Sequence, residues 1–385
     1  MATTLYLSCR MKQPKISFLI VVGLLLLTSV SCIGETQPMG GWSGPTVQNG
    51  IVYVGSRDGS VVAINASTQE LQWQWPSDTK TIRSLIYTTP IVHGNLVYIG
   101  TYSGKIYALS VAESADIWVR PTEGYIGAIV ANPVIANGTI YVTSSDGMVY
   151  ALDITRSGVQ KWKSDRLADK LWTSPAIAGD VVYVSTYNGC IYALSTGTGE
   201  LLNWSFKSQA GFASSPVISE DTIFVGSFDR YLYAVKIGGD EPLWKFPQDK
   251  PAGNWFWASP VVSEGIVYAA CLDGKLYAIE AKTGKKLWEF QAEAPIVSSP
   301  ILVGNLLVIA SEAGNVYVVN PGTGNGERIK NPQNDNKPTI DARIRAPLCA
   351  QESLVYIRAE DNHLYAVDIG EREVSWKVSL ATRER

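Results

Sequence analysis

Ser259-Pro260-Val261-Val262, Ile266-Val267-Tyr268-Ala269-Ala270, Lys275-Leu276-Tyr277-Ala278-Ile279-Glu280 and Lys286-Leu287-Trp288-Glu289-Phe290 read as four short strands in succession. These runs are rich in β-branched and aromatic residues, which fit a pleated surface better than a helix. Asp273-Gly274, between the second and third runs, supplies the positive φ that a tight hairpin turn demands. The runs are nearly continuous in apolar character, as is Val181-Val182-Tyr183-Val184 elsewhere. Both faces of each sheet are therefore expected to be covered.

Working outward, the same unit recurs eight times at a period of 40 to 47 residues, the mark of a propeller blade or a solenoid unit. Its anchoring prolines are Pro45, Pro90, Pro133, Pro175, Pro216, Pro260, Pro300 and Pro347. Twenty-eight or twenty-nine residues after each stand Trp73, Trp118, Trp162, Trp204, Trp244, Trp288, then Arg328 in the seventh copy, and Trp376. The reading is an all-β, eight-bladed β-propeller of four-stranded antiparallel blades over residues 42–380. Proline suits the innermost strand, whose channel-facing edge needs no ladder donor. The tryptophans fall on the outermost strand, where each indole is expected to dock on the adjacent blade. Blade one is expected to open at 42–47 and blade eight to finish at 374–380, with side chains closing the ring between them. A first short strand that augments the last blade is the alternative.

Residues 1–31 read as a signal peptide, because Arg10, Lys12 and Lys15 precede an apolar run at 16–27 that is short for a membrane span. The run ends in Thr28-Ser29-Val30-Ser31-Cys32, which resembles a permissive bacterial lipobox with Ser29 in the usual aliphatic place. Cys32 is the expected lipidation site, with ordinary signal-peptide cleavage nearby or an uncleaved anchor as the alternatives, residues 32–41 the tether, and 381–385 a C-terminal tail. The protein is accordingly expected outside the cytoplasm, held to an envelope membrane by a lipid anchor.

The formal net charge of −3 becomes −6 once the three positive charges of residues 1–31 are removed, which argues against nucleic acid as a partner. Only two histidines occur, His93 and His363, at different places in their units, so neither a metal site nor a Ser-His-acid relay is expected. Cys190, Cys271 and Cys349 fall in blades four, six and eight, too far apart for disulfides, and are expected to be buried free thiols.

Ala278-Ile279-Glu280-Ala281-Lys282-Thr283-Gly284-Lys285-Lys286-Leu287-Trp288, with weaker copies at Ala193-Leu194-Ser195-Thr196-Gly197-Thr198-Gly199-Glu200 and Ala151-Leu152-Asp153, resembles the repeat of the pyrroloquinoline-quinone (PQQ) enzyme propellers. The resemblance covers essentially residues 42–380. It implies the fold more than the function, since that repeat builds quinoprotein dehydrogenases, sensor domains and a lipoprotein scaffold of outer-membrane barrel assembly. The dehydrogenases are implied to need a vicinal cysteine pair, a Ca²⁺-binding carboxylate and amide set, and an axial Asp. This chain has no Cys-Cys dipeptide, and Gly44, Thr89, Asn132, Ser174, Ser215, Ser259, Ser299 and Ala346 before the prolines supply no carboxylate. No cofactor and no catalytic residue are therefore expected.

The connections from outer strand to next inner strand vary most, and they share one face with the second-to-third-strand turns. That face carries the candidate partner-binding residues Arg83, Tyr87, Tyr125, Trp172, Trp255, Phe256, Trp257, Arg343 and Arg345. Aromatics with arginine are the usual anchors of protein interfaces. In blade seven the connection after Arg328 is long and polar, and is expected to be mobile. The expectation is a monomeric, non-enzymatic scaffold for protein partners in the envelope. The alternatives are a PQQ-dependent dehydrogenase or a propeller that senses a small ligand in its channel.

Overall fold

A computed structural model describes residues 42–77 and 84–381. The expected signal peptide, Cys32 and Arg83 lie outside these residues. Eight four-stranded antiparallel sheets follow one another along the chain, each with its strands in sequence order from the channel outward. In blade six the strands are Val261–Ser263, Ile266–Ala270, Lys275–Glu280 and Lys286–Gln291, close to the boundaries expected from sequence. Most core side chains form layers shared between consecutive blades. Val267, Ala269 and Tyr277 of blade six, for example, pack with Phe224, Leu232 and Trp244 of blade five. That two-sided burial is why the strands are continuously apolar.

The ring closes without strand exchange. Blade one holds its own inner strand, Thr46–Gln48, and blade eight its own outer strand, Glu373–Ser379. Val52, Val54, Val62 and Ile64 bury against Tyr356, Leu364, Ala366 and Leu380 across the seam. The Arg57 amide also donates to Asn362 Oδ1 at 3.1 Å.

The outer strands show why Trp and Gly recur together. Trp73, Trp162, Trp204, Trp244 and Trp288 each donate Nε1–H to a carbonyl of the next blade, at 2.8 to 2.9 Å. The indoles of Trp118, Trp162, Trp244 and Trp288 lie against Gly158, Gly199, Gly284 and Gly324 of the following blade, so closely that a Cβ there would stand 2.3 to 2.7 Å from the ring. Trp118 Nε1 is buried without an acceptor. Blade three replaces the usual hairpin with a 3-10 turn, Ile154–Arg156, at that boundary.

Two positions need correction. Seven blades carry a β-bulge before the tryptophan, but blade seven pairs Tyr317 with Arg328 and Val318 with Glu327 without one. Glu327, not Arg328, therefore occupies the place of tryptophan. Arg328 instead donates to the carbonyls of Asp335 and Lys337, tying down the connection expected to be mobile. In blade eight the inner strand begins two residues after Pro347, so Leu348 takes the proline's place and Pro347, not Ala346, that of the small residue before it.

Candidate docking face

The second-to-third-strand turns and the inter-blade connections do meet on one face. Tyr102, Tyr187, Phe228, Leu272, Glu312 and Glu360 each stand second in such a turn. Their amides donate to Leu85, Lys170, Gly211, Trp255, Pro295 and Arg343 of the connection entering the same blade, at 2.8 to 3.1 Å.

The side chains at those turns divide the face. Trp172 packs edge-on against Tyr187, Tyr187 against Phe228, and Phe228 against both Trp255 and Trp257, at centroid distances of 5.1 to 6.1 Å. This arc joins blades four, five and six, with Trp172 44% and Trp255 41% exposed. Lys170 Nζ sits 5.4 Å from the Trp172 ring. A second group, Trp42 with Tyr87 and Tyr87 with Tyr102, spans blades one and two. Among the described residues Tyr125 is the most exposed aromatic, at 79%.

Over blades seven, eight and one the face is ionic. Arg345 pairs with Glu312 of blade seven and, at 3.1 Å, with Glu360 of blade eight, while its guanidinium lies 5.8 Å from the Trp42 ring. Arg345 is thus half-buried and committed to neighbours, whereas Arg343 is exposed. Phe256 is not on the face at all. It is fully buried against Phe246 and Tyr277, because the Trp255-Phe256-Trp257 run alternates sides and sends its middle ring into the core. Tyr187 and Phe228, which complete the arc, escaped the sequence reading. Their signal was the bulky residue second in turns such as Thr186-Tyr187-Asn188-Gly189.

The channel row behaves differently from a ligand site. The Thr89 amide donates to Asn132 Oδ1, Ser174 to Ser215 Oγ, Ser215 to Ser259 Oγ and Ser259 to Ser299 Oγ, at 2.7 to 3.1 Å. The side chains of Asn132, Ser215, Ser259 and Ser299 each accept from the preceding blade and tie the two together, whereas the Thr89 hydroxyl is buried without a partner. Among the described residues no group of three His, Cys, Asp or Glu side chains is placed to hold a metal ion. Among the described residues the cysteines, Cys190, Cys271 and Cys349, are unpaired. Cys271 is fully buried, while Cys190 and Cys349 are only half-buried as residues, contrary to the expectation of three buried thiols. Burial raises the Cys349 thiol to about 12 and pushes the Cys271 thiol up as well.

Fold and face together define a closed eight-bladed propeller of four-stranded antiparallel blades. The family described as "Outer membrane protein assembly factor BamB" matches residues 30–204, up to the tryptophan of blade four. Among solved structures, BamB from Moraxella catarrhalis is similar at 20% identity and a TM-score of 0.63, over 82% of this chain and 91% of that one. The computationally designed Ika8 protein is similar at 17% identity and a TM-score of 0.71, over 86% of this chain and 97% of that one. No curated protein matches the sequence. The resemblance read from the repeat is met by that family model over residues 30–204, and the solved structures share the fold of the whole, an eight-bladed β-propeller.

Proposed function

We propose that this protein is a non-enzymatic, extracytoplasmic lipoprotein scaffold that presents its loop face to protein partners of the cell envelope. The observation that carries this reading is the arc from Trp172 to Trp257, a row of partly exposed aromatics in mutual contact across three blades. Exposed tryptophan and tyrosine rings are the commonest anchors of interface cores. The channel row supports it too, since four of its polar side chains, Asn132, Ser215, Ser259 and Ser299, already bind neighbouring blades. A relationship to an outer-membrane assembly factor favours an assembly role, with Cys32 as the lipid-bearing residue.

The test is cross-linked capture of the full chain from its own envelope, comparing the native protein with Trp255→Ala and Arg343→Ala. Loss of one and the same partner from both variants is expected, and undiminished capture by both would overturn the docking face. Labelled palmitate should enter the native chain but not Cys32→Ser. Addition of PQQ with Ca²⁺ should leave the melting temperature unchanged, and a saturable rise with alcohol or sugar oxidation would replace the scaffold by a quinoprotein.

A further inference from the structure

The two faces of the propeller differ in what they offer a lipid surface. Among the described residues the exposed aromatics, Tyr102, Tyr125, Trp172, Tyr187 and Trp255, all lie on the loop face. The opposite face is built from the first-to-second-strand and third-to-fourth-strand turns. None of its eight first-to-second-strand turns holds a Lys or Arg, while Asp180, Glu220, Asp221, Glu264 and Glu352 stand exposed in them. One of these, Asp221, meets Lys236 at 3.5 Å. An anionic headgroup layer repels such a surface. On the loop face the carboxylates are engaged within the protein. Asp146, Asp229, Asp273 and Asp361 accept from tyrosine hydroxyls at 2.6 to 2.7 Å, and Glu312 and Glu360 pair with Arg345.

Chain length decides between the faces. The chain enters the propeller on the loop face, where Trp42 packs against Tyr87 and lies 5.8 Å from the Arg345 guanidinium. Trp42 stands ten residues after Cys32. Ten residues reach at most ~33–36 Å when fully extended. To bring the opposite face to the bilayer, the chain would run outward over three strand spacings, about 14 Å, and then along a five-residue strand, about 17 Å. Side chains to be cleared on the way use up what is left of that reach. With the loop face toward the bilayer, no such detour is needed.

We infer that the headgroup layer of the anchoring bilayer is itself a partner of the loop face, taken by the sector of blades one and two where the chain enters. Tyr102 is 53% exposed and packs on Tyr87. Tyr125 stands beside that turn, since the amide of its neighbour Ile126 donates to Gly104 O at 3.2 Å. These rings sit at headgroup level, where amphipathic tyrosine and tryptophan are favoured. Arg57, exposed in the corresponding turn of blade one, meets lipid phosphate. The aromatic arc of blades four to six, across the channel, stays open to a protein beside the membrane. The inference rests on Cys32 as the lipid-bearing residue and on no particular protein partner.

The experiment places the protein on vesicles of phosphatidylethanolamine and phosphatidylglycerol, held once through Cys32 as the cell delivers it and once through a histidine tag ahead of residue 32 on nickel-chelating lipid. A fluorescent amino acid replaces either Ser103, in the loop-face turn of blade two, or Asn95, in the opposite turn of the same blade. Lipids spin-labelled at the headgroup quench it at short range. Quenching should be severalfold stronger from Ser103 than from Asn95 with either anchor. Tyr125→Glu sets a carboxylate against anionic lipid and should lower the Ser103 quenching about twofold or more. Trp255→Ala, on the arc, should leave it unchanged. Tyr125 is 79% exposed, so the melting curve of its variant should match the native chain. Equal quenching from both positions on nickel lipid, or stronger quenching from Asn95, overturns the orientation. Indifference to Tyr125→Glu, or an equal loss in Trp255→Ala, overturns the sector. Absence of palmitate from the cell-made chain is a separate failure, which removes the anchor and the bilayer partner with it whatever the nickel-held chain shows.

Discussion

Glu327 and Arg372 meet at 3.0 Å across the boundary between blades seven and eight, where other boundaries lay an indole against the next blade. Arg372 has a φ of 61° and stands at the hairpin position that Gly324 and Gly284 hold one and two blades earlier. An ion pair with Glu327 two-thirds exposed has replaced a buried ring. The two kinds of boundary should therefore differ sharply in stability. Trp244→Ala removes a largely buried indole and should cost about 3–5 kcal/mol, whereas Glu327→Ala should cost less than about 1 kcal/mol. Chemical denaturation of both variants checks this, and equal costs would contradict the docking role of the tryptophans.

The glycines beneath the indoles allow a finer measurement. Gly284 and Gly265 both have positive φ, +73° and +75°, but a Cβ at Gly284 meets Trp244 at 2.7 Å while one at Gly265 meets nothing within 4 Å. Alanine at either place bears the left-handed backbone cost of about 1–2 kcal/mol. Only Gly284→Ala must also push the ring aside. Its melting temperature should fall measurably below that of Gly265→Ala, and the Trp244 fluorescence environment should change in that variant alone.

The same geometry separates what the sequence could tell from what it could not. The eightfold count, the strand order and the tryptophan row were legible because each blade repeats one local pattern of apolar runs, turn residues and ring; the glycines beneath the indoles were not. The constant offset from Pro to Trp, however, concealed three different irregularities. The extra residue lies in a 3-10 turn in blade three, in an enlarged bulge in blade four, and ahead of the inner strand in blade eight. Blade seven keeps the usual offset but lacks the bulge, which is why Arg328 stands where Trp would be counted while Glu327 is where Trp would sit. Register is a property of pairing between strands, and residue spacing cannot reveal it. On the docking face, Trp255 and Phe256 are equally apolar in sequence. Which of them is exposed follows from the direction of the backbone at a connection without regular period.

Those two neighbours should therefore respond in opposite ways. Phe256→Ala opens a cavity between Phe246 and Tyr277 and should destabilise the fold by about 3–5 kcal/mol. Trp255→Ala should change the melting temperature little and reduce partner capture. Thermal melts alongside capture from the envelope distinguish the two, and a stability loss in Trp255→Ala as large as that in Phe256→Ala would place its ring in the core.

Thiol chemistry offers a probe of burial that needs no variant. The reactive species is the thiolate, so raising the Cys349 thiol from 9.0 to about 12 lowers its thiolate fraction roughly a thousandfold at pH 8. Reactivity should then climb with pH well past the ordinary thiol range. Cys271, fully buried and shifted in the same direction, should behave alike. Mass spectrometry after brief alkylation of the native protein at pH 8 should find both unmodified, and unfolding in denaturant should expose them to complete reaction. Rapid native labelling of Cys349 would contradict the raised value of its thiol.

Around the channel, the relay from Ser174 to Ser299 predicts a cost that spacing alone would not suggest. Each of these serines can reorient its hydroxyl, yet the Oγ of Ser215, Ser259 and Ser299 each accepts from a backbone amide one blade away, Ser215 from Ser174 at 2.9 Å and Ser259 from Ser215 at 3.1 Å. Ser215→Ala leaves the Ser174 amide without its acceptor in a part-buried place, which should cost about 1–3 kcal/mol. Ser259→Ala should do the same to Ser215, and because the two bonds share a residue, the double variant should depart from additivity by about 0.5 kcal/mol or more. Denaturant unfolding of the two single variants and the double variant measures that coupling. Strict additivity would show that the bonds stabilise their own boundaries independently, with no tightening passed along the inner ring.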